Sequence, residues 1–142
     1  MKALIEFEPQ DVSVSFRMEL AKISRNPKTL DELSKDEYWG VRKNVARNFR
    51  TTSETLARLA RDVNWEVRYE VARNVHTSPE TLKELSNDKE REVQIKVAKN
   101  TKTPVENLEK LSYVPELEIH ILQNPMTPEN VRKEIQEKKY LH

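Results

Sequence analysis

One phrase recurs along this chain at a nearly fixed interval. Asp36 to Asn48 reads D-E-Y-W-G-V-R-K-N-V-A-R-N, Asp62 to Asn74 reads D-V-N-W-E-V-R-Y-E-V-A-R-N, and Asp88 to Asn100 reads D-K-E-R-E-V-Q-I-K-V-A-K-N. A blurred copy runs through Asp11, Val14, Phe16, Arg17, Leu20, Ala21 and Lys22. A period of 25 or 26 residues is the mark of a repeat array. Each unit of such an array buries its apolar faces against its neighbours.

Every unit holds two helical patterns. In the first, Thr51, Thr77 and Thr103 stand three residues ahead of Glu54, Glu80 and Glu106. That spacing predicts capping boxes, in which the hydroxyl accepts from the N3 amide and the carboxylate reaches back. Pro104 and Pro128 fit the first helical position, where a missing N–H costs little. The pairs Leu30/Leu33, Leu56/Leu59, Leu82/Leu85 and Leu108/Leu111 recur every 26 residues and share one helical face, so they are predicted core anchors. A second helix is expected after Asp36, Asp62 and Asp88. Val63, Val67 and Val71 fall together on its wheel, while Trp65 and Ala72 gather on another sector. Two apolar sectors let one helix touch both its partner and the next unit. Asn48, Asn74 and Asn100 then end the helix, asparagine being the favoured non-glycine residue for a left-handed cap. A ligand-binding amide is the alternative reading.

Composition removes whole classes of chemistry. Cysteine is absent, which excludes disulfides, iron–sulfur clusters and thiol catalysis and fits a reducing cytoplasm. The single glycine, Gly40, excludes glycine-rich phosphate loops and argues against a turn-rich β fold. No apolar run approaches the roughly 18 residues of a membrane span, and the acids Glu6 and Glu8 interrupt any signal-peptide pattern. No membrane association is expected. The net charge of +1 gives no global attraction to nucleic acid. His76, His120 and His142 share no metal-like spacing, and no catalytic constellation stands out, so no enzyme activity is expected.

Taken together, N-x-x-T-x-x-x-x-L-x-x-L-x-x-D-x-x-W-x-V-R-x-x-V-A-x-N resembles the variant leucine-rich repeat family over roughly residues 11–131, and is similar to HEAT-type repeats. The resemblance implies an all-α fold, with a short helix and an α-helix per unit stacked into a right-handed superhelix. The cysteine-held iron–sulfur cluster associated with that family has no ligands here, so no cofactor is expected. HEAT-type units also imply a hydrogen-bond ladder between an Asp and an Arg six residues apart. Asp36/Arg42 and Asp62/Arg68 carry that spacing, as does Asp11/Arg17. Asp88 is followed by Gln94, where the ladder should weaken. Val114 and His120 occupy the next positions, where it should end.

The expected organisation is one repeat domain spanning 1–142. It comprises a degenerate N-terminal cap (1–25), about four units of ~26 residues (26–124) and a C-terminal cap helix (125–142). Val12, Val14, Phe16, Met18 and Leu20 alternate as a strand would, yet alignment to the repeat predicts helix. Ile119, Ile121 and Leu122 make the fourth unit's second helix unusually apolar. They pack against the tail or form a weak contact between two copies of the chain.

The candidate interaction surface is the sector of the second helices left free of apolar contacts: Lys43, Tyr69, Ile95 and Lys96, with the row Lys22, Arg47, Arg73 and Lys99. One cation per repeat suits a phosphate backbone, but a cation in the last turn of a helix is also favoured by the helix dipole. Trp39 and Trp65 fit either packing between units or stacking on a ligand. The expected function is a non-enzymatic scaffold for a protein or peptide, located in the cytoplasm. Nucleic-acid binding through the basic row, with Arg42, Lys43 and Arg50 nearby, is the alternative.

Overall fold

The structure, a computed structural model, describes residues 12–140. These form ten α-helices and one 3-10 turn, with no strand among the described residues. After α1 (Val14–Ile23), short and longer helices alternate: α2 (Pro27–Leu33), α3 (Trp39–Arg47), α4 (Ser53–Leu59), α5 (Trp65–Arg73), α6 (Pro79–Leu85), α7 (Arg91–Lys99) and α8 (Val105–Leu111). The 3-10 turn Pro115–Leu117 leads into α9 (Glu118–Gln123), and α10 (Glu129–Tyr140) follows. Among the described residues, no helix is long and apolar enough to cross a membrane. Asp11 and residues 1–11 of the expected N-terminal cap lie outside the described residues, as do Leu141 and His142.

Packing runs in sequence order. α1 lies on α3, α3 on α5, α5 on α7 and α7 on α9, while each short helix rests on its neighbouring second helix. All eight leucines of the paired positions are buried, as are Val41, Val45 and Ala46, Val67, Val71 and Ala72, and Val93, Val97 and Ala98. Seven-residue helices such as α4 and α6 are too short to persist alone. Burying two leucines, at about 1.5–3 kcal/mol each, is what holds them. The alternating segment before Leu20 adopts the helix α1, because Ala21 must enter the same core as Ala46 and Ala72.

Several local expectations are corrected. The caps of α4 and α6 are Thr52 and Ser78, whose hydroxyls accept from the Thr55 and Thr81 amides. Thr51, Thr77 and Thr103 instead donate to the carbonyls of Val45, Val71 and Val97, each at 2.6 Å. Pro104 is the cap residue of α8, not its first helical residue. Val63 precedes α5 and is 91% exposed, because the second helix starts three residues after the aspartate. Asn48, Asn74 and Asn100 end their helices in extended backbone, with φ near −70° and ψ of 122–131°. No described residue has positive φ.

The fourth unit is shorter. Asn124 follows Asn100 by 24 residues, where Asn100 follows Asn74 by 26. The Thr127 hydroxyl donates to Ile121 O as Thr103 does to Val97 O. Ile121 therefore matches Val97, and His120 matches Lys96 rather than Gln94. Ile121 is buried and Leu122 packs against the core, but Ile119 remains exposed.

Candidate functional site

One loop geometry recurs where each second helix ends. The backbone N–H of Asn48, Asn74, Asn100 and Asn124 closes the last helical turn. Each Oδ1 accepts the N–H two residues on, from Arg50, His76, Lys102 and Met126, at 2.8–2.9 Å. Each Nδ2 crosses to the preceding unit, reaching Ala21 O, Ala46 O, Ala72 O and Ala98 O at 2.7–3.0 Å. The asparagines are thus rungs between units, and they satisfy carbonyls that a helix end leaves without partners. Arg132 of α10 completes the series. Its guanidinium donates to Leu122 O and Asn124 O, both at 2.6 Å, the two carbonyls that a further asparagine would take.

This loop fixes two exposed positions per unit: the residue before the asparagine and the residue two after it. They are Arg47 and Arg50, Arg73 and His76, and Lys99 and Lys102. Lys22 and Arg25 flank the equivalent end of α1, and all eight side chains are exposed. The segments 22–27, 47–52, 73–78 and 99–104 contain no Asp or Glu. One edge of the helix row is therefore basic, although the chain as a whole is near neutral. Between the cations stand two exposed apolar residues at equivalent places, Phe49 at 61% and Val75 at 64%. Arg50 lies over the Phe49 ring, 4.9 Å from its centroid. A groove of about 270 Å³ between α3 and α5 is lined by Arg47, Phe49, Glu70 and Arg73. The next, of about 290 Å³, is lined by Arg73, Val75, Lys96, Lys99 and Lys102.

Among the described residues, a single carboxylate pairs with this edge. Glu70 is buried, with its oxygens 3.9 Å from Arg47 Nε and 3.5 Å from Arg73 Nη1. Both arginine side chains stay more than half exposed, so Glu70 pairs with them while leaving most of each side chain in water. Among the described residues, no ion pair engages Lys22, Arg25, Arg50, Lys99 or Lys102.

The other candidate residues are occupied within the array. Lys43 donates to Glu66 at 2.8 Å and sits 5.7 Å from the Trp39 ring centroid. Tyr69 meets Trp65 edge to face, and Lys96 lies over its other side at 5.3 Å. Ile95 packs against the core. Arg17, Arg42 and Arg68 each donate from Nε to the next unit's aspartate, Asp36, Asp62 and Asp88, at 2.7 Å. Arg42 and Arg68 also donate to the carbonyls of Asp36 and Asp62 in their own units. The aspartate hydrogen bonds hold all three guanidiniums above their ordinary proton affinity. Because each rung joins adjacent units, Asp88 is still paired, through Arg68. The series stops one step later, where Gln94 turns its amide to Ser86 O.

His120 lies beside this surface. Its Nδ1 is buried without a partner. Burial pushes its pKa down, and Lys99 and Lys96 push the same way against Glu92.

Residues 65–90 match the family model described as leucine rich repeat variant. That stretch contains α5, its asparagine loop and α6. No curated protein and no solved structure matches the chain.

Proposed function

We propose that this protein is a non-enzymatic scaffold, a cytoplasmic right-handed α-solenoid of about four units, that holds an acidic protein segment along its basic edge. One observation carries the reading: three successive asparagine loops of the same geometry, and the end of α1 before them, present basic side chains and no carboxylate. A helix dipole accounts for the residue before each asparagine. It does not account for Arg50, His76 and Lys102, which lie beyond the helix at the position fixed by the asparagine loop, nor for Arg25, which lies beyond the end of α1. The exposed Phe49 and Val75 add apolar anchoring between charges, the pattern that protein interfaces favour.

Nucleic acid is the competing ligand, since the same rows suit phosphates. The near-neutral chain and the carboxylate of Glu70 inside the edge weigh against it, because nucleic-acid surfaces are strongly basic. Fluorescence anisotropy with polyglutamate and with mixed single-stranded DNA, at low and physiological salt, separates the two. Polyglutamate should bind, and Arg47→Glu with Arg73→Glu should weaken it about 5- to 50-fold, the worth of two exposed ion pairs plus the repulsion that replaces them. Tight DNA binding with a steep salt slope, and no polyglutamate binding, would overturn the proposal in favour of nucleic acid.

A further inference from the structure

We infer that the acidic partner lies along this edge as an extended polyproline-type segment carrying a carboxylate at every third residue. This rests on the proposed binding of an acidic protein segment and adds its conformation and spacing. Helices α1, α3, α5 and α7 each pack directly on the next, and packed helices lie about 8–10 Å apart. The asparagine rungs keep successive loops in the same relation, with Nδ2 of each within 3.0 Å of the equivalent alanine carbonyl one unit back. The backbone positions of Lys22, Arg47, Arg73 and Lys99, one per packed helix, therefore follow the interaxial interval of about 8–10 Å.

A ligand must match this interval to use more than one or two cations. A polyproline II chain has three residues per turn and rises about 3.1 Å per residue, which repeats every ~9.3 Å. A β-strand presents same-face side chains every ~6.7 Å and falls out of step within two units. One turn of an α-helix is about 5.4 Å, again out of step. Only the three-residue turn places one carboxylate per repeat over the whole row. Phe49 and Val75 stand exposed in successive loops between the basic residues and offer apolar contact to the residues between the carboxylates. Prolines there supply apolar rings and lose little conformational freedom on binding.

The test uses the full chain and three labelled peptides of equal length and composition, each with four Glu and the remaining positions Pro. One has Glu at every third position, one at every second, and one has all four together. Four exposed ion pairs in register against roughly two predict about tenfold tighter binding of the first peptide, and Phe49→Ala should cost the first peptide more than the others. Equal affinities for all three would overturn the spacing while leaving an acidic partner in place. Failure of all three and of polyglutamate to bind would overturn both. A preference for the alternate-position peptide would refute the three-residue spacing.

Discussion

Replacing Asn74 with alanine tests whether the asparagine rungs hold the units together. The side chain is buried and makes three hydrogen bonds: Nδ2 to Ala46 O at 2.8 Å, Nδ2 to Asn48 O at 3.3 Å, and Oδ1 from the His76 N–H at 2.8 Å. Ala46 O has no helical partner to fall back on, because the N–H four residues on, that of Arg50, is bound to Asn48 Oδ1. A net hydrogen bond is worth about 0.5–1.5 kcal/mol, and a buried group left unsatisfied costs about 1–3. Allowing water to reach the part-buried His76 amide, the loss should be roughly 2–4 kcal/mol, a large share of the ~5–15 kcal/mol typical of a domain.

Asn74→Asp sharpens the test. It keeps the acceptor for His76 but turns a second oxygen, with charge, toward two carbonyls, so it should be worse than alanine. Urea unfolding followed by circular dichroism measures both. A loss below about 0.5 kcal/mol for alanine, the ordinary range of an inconsequential surface change, would refute the reasoning. So would an aspartate variant as stable as the alanine one.

Three further outcomes are expected. Arg132→Ala removes the donors to Leu122 O, Asn124 O and Thr127 O. Hydrogen exchange should then speed up in α9 and α10 and stay unchanged in α3, since units couple to nearest neighbours. His120 has a folded pKa below its ordinary 6.5, so the unfolded chain takes up its proton first as pH falls. Its contribution is full above about pH 6.5 and is lost as pH drops through the folded value; His120→Gln should flatten that part of a stability-versus-pH curve measured from pH ~7.5 to ~5. Glu70→Gln removes the one carboxylate behind Arg47 and Arg73. Anisotropy should show acidic peptide binding tightened by about 2- to 5-fold, the scale of one exposed charge pair, and weakened binding would mean that Glu70 orients the guanidiniums more than it competes for them.

The helical architecture was legible because periodicity reports burial directly. The leucine pairs and the Val-x-x-x-Val-Ala pattern mark what must leave water, and all of those residues are buried. The sequence pattern was less informative about what the polar repeats do. Thr51 and Glu54 have the spacing of a capping box, but the Thr51 hydroxyl is committed to Val45 O, and Thr52 beside it takes the cap. The asparagines read as helix terminators by propensity. Their bonds to the preceding unit depend on how units stack, which no local rule contains. The second row of exposed basic residues was missed for a related reason. Arg50, His76 and Lys102 do not share a side-chain type at a helical spacing, and only the Asn-to-N–H bond two residues on makes them equivalent. Counting carboxylates in the loops alone would have found the acid-free edge.

On the proposed reading, the distribution of partners favours this edge over the middle of the second helices. Lys43, Tyr69 and Lys96 are engaged across unit boundaries, and the arginines of the ladder are buried against aspartates. A ligand that drew on Arg42 or Arg68 would strand a buried carboxylate, which costs about 3–5 kcal/mol and exceeds what an exposed ion pair returns. The edge cations carry no such obligation. Their backbone is fixed by the asparagine loop while their side chains remain in water, so a ligand gains charge contacts without dismantling the array. Ordering each Lys or Arg side chain still costs up to about 2 kcal/mol, which caps the gain per contact. Useful affinity then comes from engaging several units at once, and that requires a ligand whose own repeat keeps step with the helices.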